Sequence, residues 1–214
     1  MTAMPKLSAQ ARARKIKLLL FDVDGVLTDG KLFFLPDREK SPQAATELSA
    51  QGSIEFKGFH AHDGVASSLA RIGGLRSGLI TRRYSETVAL RARDLKLEFV
   101  RQGNQDKGTA LKEIATEAGI SLDEAAFVGD DVVDLPAMRV AGLAVAVQNA
   151  RHEVKQEAHY VTPHAGGEGA LRDAVEFILK AQGKWKKVLE AYITSHAPTA
   201  VKMKTAEDAG DAED

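Results

Sequence analysis

Residues 16–28 read Ile-Lys-Leu-Leu-Leu-Phe-Asp-Val-Asp-Gly-Val-Leu-Thr, an apolar run that ends in Asp22, Asp24 and Gly25. A short apolar run bounded by turn-forming residues is typical of a strand that is buried on both faces, as in a parallel sheet. Ligands of such sheets bind beyond the carboxyl ends of the strands. The stretch therefore predicts an α/β protein whose chemistry lies directly after its first core strand.

Helical and extended patterns alternate along the rest of the chain, which indicates successive βαβ units. A capping-box pattern at Ser121 and Glu124 separates two of these units. We predict a Rossmann-like, three-layer parallel sheet with at least five strands. The expected helices are 63–72, 84–95, 107–118, 150–158 and one running towards Tyr192, and the expected strands are 78–81, 97–100, 125–129, 143–147 and 160–162.

An insertion follows the first strand. Residues 32–35 and 53–59 have extended patterns, and they flank a polar segment that contains proline. This arrangement predicts a β-hairpin over about 31–59 with a long tip at 36–52. We expect the hairpin to be an addition to the sheet rather than a part of its core.

The composition is that of an ordinary globular protein, with 44% hydrophobic and 28% charged residues and a net charge of -1. We expect a flexible N-terminus at 1–14, one domain at 15–196 and a disordered tail at 197–214.

No apolar run approaches the roughly 20 residues that cross a bilayer, and no signal-peptide core is present. We therefore expect a cytoplasmic protein with no membrane or nucleic-acid partner. The lack of cysteine excludes disulfides and thiolate chemistry.

A second acidic cluster, Gly129-Asp130-Asp131-Val-Val-Asp134, also follows a predicted strand and precedes a helix. Asp22 and Asp24 stand two residues apart, so both side chains point to the same side of the sheet's mouth if the strand geometry persists. Neighbouring carboxylates repel each other, and a divalent cation relieves the repulsion. Because the expected donors are oxygens only, we predict Mg²⁺ rather than zinc, shared by the two clusters.

This pattern suits phosphoryl transfer, because a metal offsets phosphate charge and lets a carboxylate attack phosphorus. We expect Asp22 to be the nucleophile and Asp24 to be the general acid and base. Gly25 would let backbone N–H groups approach the phosphate, and Thr81 and Lys107 would bind its remaining oxygens.

Each motif, taken alone, also has a structural explanation that involves no function. An isolated Asp-x-Asp is usually a solvated turn, and Thr81 or Lys107 alone is usually a surface residue. His60, His62 and His164 lie on different predicted segments, so we expect surface or supporting roles for them. The functional interpretation rests on all the segments occurring together in this order.

From about residue 16 to 185, these segments resemble the haloacid dehalogenase superfamily of phosphatases. The four motifs would be Asp22-Val-Asp24-Gly-Val-Leu-Thr28, Leu79-Ile-Thr81, Lys107 and Gly129-Asp130-Asp131-Val-Val-Asp134. The resemblance implies that Mg²⁺ binds Asp22, the Asp24 carbonyl and Asp130. It gives supporting or water-mediated roles to Asp131 and Asp134.

A narrower resemblance rests on residues 22–30, 59–64 and 162–172 and on Ala181-Gln-Gly-Lys-Trp185. These segments are similar to the capless 3-deoxy-D-manno-octulosonate 8-phosphate phosphatase family. The resemblance implies a homotetramer in which the hairpin replaces a cap, a phosphorylated sugar acid as substrate, and a glycine-rich segment that folds over an active site.

Two departures from the family pattern qualify that resemblance. Thr81-Arg82-Arg83 stands where the family usually has Thr-Gly-Arg. Arg83 matches the family arginine and would bind the sugar's carboxylate. Arg82 is either a second anion contact or, as we expect, solvated. The hairpin tip at 36–52 is also long, which bears on the packing of a tetramer. The alternatives are a phosphatase of nonulosonate 9-phosphates, a broad housekeeping phosphatase, and a non-catalytic oligomerisation module.

Overall fold

Six parallel strands form the central sheet of the computed structural model, which describes residues 7–36 and 53–195. The strands are β1 (Leu18–Phe21), β4 (Arg76–Ile80), β5 (Phe99–Arg101), β6 (Ala125–Gly129), β7 (Leu143–Ala146) and β8 (Tyr160–Val161). Their order across the sheet is β5-β4-β1-β6-β7-β8. The predicted parallel α/β architecture is confirmed.

The strand order has its switch point between the adjacent strands β1 and β6. Successive crossovers run from β1 outwards to β5, and the chain then returns to the other side of β1 and continues to β8. Phe21 is in register with Leu79 on one side and with Val128 on the other. Residues that follow these strands consequently meet at the switch point, where open α/β sheets bind ligands.

Eight helices surround the sheet within the described ranges. They are α1 (Ala9–Ala13), α2 (Ala61–Ile72), α3 (Glu86–Asp94), α4 (Lys107–Ala118), α5 (Leu135–Val140), α6 (His152–Glu157), α7 (Ala170–Ala181) and α8 (Trp185–Ser195). α1, α2, α7 and α8 pack together as one layer, and α4, α5 and α6 pack together as another. None of the helices in 7–36 and 53–195 is long and apolar enough to cross a bilayer.

The core lies between the sheet and these layers. All four residues of β1 and all five of β6 are buried, because each strand is covered by helices on both faces. The continuous apolar run that predicted the fold is therefore the centre of the sheet.

A two-stranded hairpin, β2 (Phe33–Pro36) and β3 (Ser53–Phe56), is the insertion that the sequence predicted. Its antiparallel register pairs Phe33 with Phe56 and Leu35 with Ile54. The structure shows no cap domain between the core elements over the ranges that it describes. The predicted tip at 36–52 lies outside those ranges except for Pro36, which ends β2, and the predicted tail at 197–214 lies outside them too.

The two ends of the domain differ from the sequence prediction. Residues 9–13, which we placed in a flexible N-terminus, form α1, and the Arg12 guanidinium donates to the Gly142 carbonyl at 2.7 Å. The prediction of a single helix running towards Tyr192 is wrong, because the chain turns at Gly183, with φ +68, between α7 and α8. A positive φ is readily adopted by glycine and ends the helical path there.

Candidate active site

Seven of the nine predicted site residues come from four separate loops and line one cavity of about 410 Å³ at the carboxyl edge of the sheet, whereas Gly25 and Asp134 lie behind its lining. Two aspartates follow β1, two residues follow β4, Lys107 begins α4, and two aspartates follow β6. The structure thus brings together Asp22, Asp24, Thr81, Arg83, Lys107, Asp130 and Asp131.

Three carboxylates lie next to one another at the switch point. Oxygens of Asp22, Asp130 and Asp134 are all within 4.8 Å of each other. Asp22 is held at the end of β1 by its backbone N–H, which donates to the Val128 carbonyl at 3.0 Å. The pairing of β1 with β6 therefore fixes the distance between the two acidic loops.

Lys107 is the cation of this cluster and is almost completely buried. Its Nζ lies 2.8 Å from Asp22 Oδ1 and 2.6 Å from Asp134 Oδ1. Burial alone would lower the pKa of Lys107, but the attraction of the two carboxylates outweighs burial and raises it. Lys107 therefore remains charged, and α4 begins at this residue because Asp106 caps it by accepting from the Thr109 N–H at 3.0 Å.

Asp134 has both carboxylate oxygens engaged within the protein. Oδ1 binds Lys107, and Oδ2 accepts the backbone N–H groups of Asp130 at 2.9 Å and Asp131 at 3.3 Å. Asp134 therefore shapes the loop after β6 and holds the lysine. These contacts are those expected of a supporting residue rather than of a direct metal ligand.

One ammonium, that of Lys107, faces three carboxylates, so the described residues compensate the charges of Asp22 and Asp130 only in part. Burial, together with the repulsion of Asp134, raises the pKa of Asp22 to about 7 and that of Asp130 to about 8. Asp130 Oδ1 is buried and accepts no hydrogen bond from the described part of the chain.

The donor set fits Mg²⁺. When its three carboxylates are ionised, the cluster and its one ammonium carry two negative charges, which a divalent cation would neutralise. The oxygens of Asp22 and Asp130 are hard ligands of the kind that Mg²⁺ prefers, and the cluster contains no histidine. Ligation through the Asp24 carbonyl stays a prediction.

Gly25 is required by the close approach of the two acidic loops. Its φ is +97, and a Cβ at this position would lie 2.1 Å from Asp130 Oδ2. The glycine-rich segment 164–169 packs against the same loop of its own chain, since the Gly167 N–H donates to the Val26 carbonyl at 3.0 Å. A Cβ at Gly166 would lie 1.7 Å from the Gly25 carbonyl oxygen, so this segment supports the loop that carries Asp24.

The two arginines after β4 have different partners. Arg83 Nη2 donates to Glu55 Oε1 at 3.1 Å, and its Nε lies 3.6 Å from Asp24 Oδ2. Arg82, which we expected to be solvated, lines the cavity, and its Nε and Nη2 donate to Gln105 Oε1 at 3.0 and 2.8 Å. Arg82 thus pairs with a neutral amide, whereas Arg83 pairs with carboxylates.

Sequence reasoning missed Lys57, which follows β3. Its side chain is fully buried, and its Nζ donates to Asp24 Oδ1 at 2.5 Å. The alternation Ile54-Glu55-Phe56-Lys57 placed both charged residues on one face of the hairpin, and that was the only signal in the sequence. The alternation did not reveal which loop this face covers.

His60, His62 and His164 do not line the cavity that holds the cluster of Asp22, Asp130 and Asp134. The rings of His60 and His62 contact each other edge to face at the start of α2, and His164 Nδ1 lies 2.9 Å from Asp173 Oδ2. His60 Nδ1 also accepts the His62 N–H, so it caps that helix.

Comparison with known proteins places this site in a family. Residues 80–172 match the model of the haloacid dehalogenase-like hydrolases. The chain is 34% identical over 174 residues to the 3-deoxy-D-manno-octulosonate 8-phosphate phosphatase of Escherichia coli K12, covering 81% of this chain and 85% of the relative. For the enzyme of the same name from Haemophilus influenzae the identity is 33%, covering 82% and 89%.

A solved structure shows the same fold. The phosphatase of this name from Moraxella catarrhalis, crystallised with magnesium ion, phosphate ion and KDO, superposes with a TM-score of 0.76 at 33% identity, covering 86% of this chain and 97% of that one. This chain therefore belongs to the haloacid dehalogenase-like hydrolases and, within them, to the 3-deoxy-D-manno-octulosonate 8-phosphate phosphatase family.

Proposed function

We propose that this protein is a Mg²⁺-dependent phosphatase that hydrolyses 3-deoxy-D-manno-octulosonate 8-phosphate to the free sugar acid and phosphate, with Asp22 as the nucleophile. The observation that carries the proposal is the meeting of Asp22, Asp130 and Lys107 at the mouth of one cavity. The family membership of the chain supports the choice of reaction and substrate.

The chain's own residues account for both halves of the reaction. In the first half, an Asp22 oxygen bonds to phosphorus, the bond to the sugar oxygen breaks, and Asp24 gives its proton to that oxygen. In the second half, Asp24 takes a proton from water, the water oxygen bonds to phosphorus, and the bond between Asp22 and phosphorus breaks, which frees phosphate and restores the Asp22 carboxylate. Asp22, Asp130 and the Asp24 carbonyl would hold Mg²⁺, which would offset the charge of the phosphoryl oxygens.

The phosphoryl group is held by residues that the fold has already placed. Thr81 follows β4 and lines the same cavity as Asp22, and Lys107 contributes the buried ammonium. Gly25 allows backbone N–H groups to approach the phosphate, because a side chain there would collide with Asp130. Asp131 lies at the rim, and Asp134 keeps Lys107 in place.

A sugar acid brings a second anionic group, its carboxylate, and the mouth of the cavity carries two arginines that suit it. Arg83 is already paired with Glu55, so Arg82 is the guanidinium at the mouth that has a neutral partner. We therefore assign the carboxylate to this arginine pair, with the larger share on Arg82.

We further propose a cytoplasmic homotetramer built through the hairpin. Phe33, Leu35, Ile54 and Phe56 form one face of it, and all four are between 40 and 55% exposed. In the described strands of the hairpin, the opposite face carries Glu55, which binds Arg83, whereas the apolar face is exposed and can pack against another copy. An apolar patch of this kind on a small insertion is typical of a subunit interface.

The test of the proposed function is phosphate release from a substrate panel. The panel holds octulosonate and nonulosonate phosphates and a neutral sugar phosphate, each assayed with Mg²⁺ and with EDTA. We expect the octulosonate ester to have the highest kcat/KM and expect EDTA and Asp22→Asn to abolish release. Activity that survives both chelation and Asp22→Asn contradicts the proposal, and a higher kcat/KM for the nonulosonate ester reassigns the substrate.

A further inference from the structure

The hairpin places a buried cation against the acid and base of the reaction. Lys57 has a fully buried side chain, and its Nζ binds Asp24 Oδ1 at 2.5 Å and Glu55 Oε1 at 3.1 Å. A lysine is rarely buried unless it is paired, and here both of its partners are carboxylates. The contact joins the inserted hairpin to the loop after β1.

The surrounding contacts keep Lys57 in this position. Glu55 Oε1 is shared between Lys57 and Arg83, each at 3.1 Å. The Glu55 carbonyl accepts the Thr87 hydroxyl at 3.2 Å, which ties β3 to the start of α3. Two acidic and two basic side chains therefore form a charge-balanced network, and its position is set by two different elements of the core.

The network distinguishes the two oxygens of the Asp24 carboxylate. Oδ1 accepts the close hydrogen bond from Lys57, whereas Arg83 Nε lies 3.6 Å from Oδ2, beyond hydrogen-bond distance. An oxygen that already accepts a charged hydrogen bond is a poor place for a proton. Oδ2 is thus the oxygen that is free to carry the proton of the reaction.

We propose that Lys57 is a positioning residue for the general acid and base, which holds Oδ1 of Asp24 so that Oδ2 faces the leaving oxygen and then the attacking water. The proposal rests on the proposed function, because it assigns the acid and base role to Asp24. It extends that function by giving the inserted hairpin a part in the chemistry of its own subunit, in addition to any part in assembly.

The proposal makes a prediction that depends on the leaving group. A sugar alkoxide must be protonated as it departs, so loss of an oriented Asp24 slows the first half of the reaction. p-Nitrophenolate departs as a stable anion and needs no proton, so its release in the first turnover depends on Asp22 and not on the orientation of Asp24. A defect in folding or metal binding would slow both esters alike.

The experiment compares Lys57→Met with the wild type in single-turnover measurements on the octulosonate ester and on p-nitrophenyl phosphate, both with Mg²⁺. We expect the octulosonate rate to fall at least about 30-fold, with p-nitrophenolate released at a rate within about threefold of the wild type. Lys57→Arg, which can still donate to Oδ1, restores part of the octulosonate rate. Lys31→Met is the matched control, because Lys31 is an exposed lysine that precedes the hairpin and pairs with Asp29.

The criterion is the ratio of the two losses. A loss on the octulosonate ester that exceeds the loss on p-nitrophenyl phosphate by about tenfold or more supports the proposal, and any smaller ratio overturns it. If thermal unfolding shows that Lys57→Met does not fold at the assay temperature, the same criterion is applied to Lys57→Gln. Failure of the proposed function is a separate result, since it would appear as a wild type that turns over neither ester or as an active Asp22→Asn variant.

Discussion

Lys107 Nζ lies 2.8 Å from Oδ1 of Asp22, and both side chains are shielded from solvent. The nucleophile of the proposed reaction is therefore paired with a cation before any substrate arrives. Because Asp134 binds the same ammonium, the lysine is held from two sides and has little freedom to move. The pair places positive charge where an anionic phosphoryl group must approach an anionic carboxylate.

Replacing Lys107 by methionine is expected to lower kcat/KM by at least about a hundredfold, since one preorganised charge contact to a transition state is typically worth that much. It should also destabilise the metal-free fold by about 3 kcal/mol or more, because buried carboxylates lose their partner. Phosphate release and denaturant unfolding measure the two effects. Lys112→Met, at an exposed position of the same helix, is the control. If Lys107→Met and Lys112→Met had the same kcat/KM and the same free energy of unfolding, the role assigned to Lys107 would be contradicted.

The stabilisation that Mg²⁺ confers should increase with pH. The pKa values of Asp22 and Asp130 are raised by burial from 3.8 to about 7 and about 8, so the folded state binds protons that the unfolded state has lost. For these two groups the stability of the metal-free fold falls as pH rises from about 4 to about 8. Mg²⁺ competes with the same protons, so its binding tightens over the upper part of that range.

Thermal unfolding with and without Mg²⁺ at pH 6, 7 and 8 checks this dependence. We expect the Mg²⁺-induced rise in Tm to grow at each step in pH. Asp130→Asn removes one of the two groups and should flatten the trend. A rise in Tm that is the same at pH 6 and at pH 8 would show that the two aspartates do not exchange protons for the ion.

Arg82→Ala should weaken recognition of the sugar acid while leaving phosphate chemistry intact. A charge-assisted hydrogen bond contributes about 1.5–3 kcal/mol, so we expect KM for the octulosonate ester to rise about tenfold or more with little change in kcat. KM for a neutral sugar phosphate should stay within about twofold of the wild type. Arg139→Ala, which removes a surface pair with Glu157, is the control. A parallel rise in KM for both esters would argue against a carboxylate contact.

A charge on the apolar face of the hairpin should disrupt assembly. Ile54 is 55% exposed next to the stacked rings of Phe33 and Phe56, so Ile54→Asp would bring a carboxylate into any interface formed there. Light scattering coupled to size exclusion should show tetramer for the wild type and smaller species for the variant. Ile193→Asp, at a 60% exposed residue of α8, should leave the molecular mass of the assembly the same as that of the wild type. A wild type that is monomeric, or an Ile54→Asp tetramer, would refute the proposed interface.

The sequence predicted the sheet and most of the cavity because both follow from local patterns. The apolar run before Asp22 identified the central strand, and parallel strands bring their carboxyl ends to one edge whatever the packing of the helices. Lys107 was placed at a helix start by the pattern around it, and α4 does begin there.

The remaining features depend on contacts between distant segments. Lys57 reaches Asp24 because the hairpin folds back over the loop after β1. The alternation of residue types along the hairpin does not show in which direction the hairpin folds. The break at Gly183 was missed because apolar spacing continues from α7 into α8, although a glycine is a recognised helix terminator. Arg82 is exposed, as expected, but its bond to Gln105 was not predicted, because it depends on how two loops meet at the cavity mouth.

The most direct test of the central claim is to trap the phosphorylated enzyme. Substrate labelled in its phosphoryl group would be mixed with enzyme and Mg²⁺, quenched rapidly in acid and mapped by peptide mass spectrometry. We predict label on the peptide that contains Asp22, with none in Asp22→Asn or in EDTA. Label on another residue, or turnover by the wild type and by Asp22→Asn with no labelled peptide, would contradict the account.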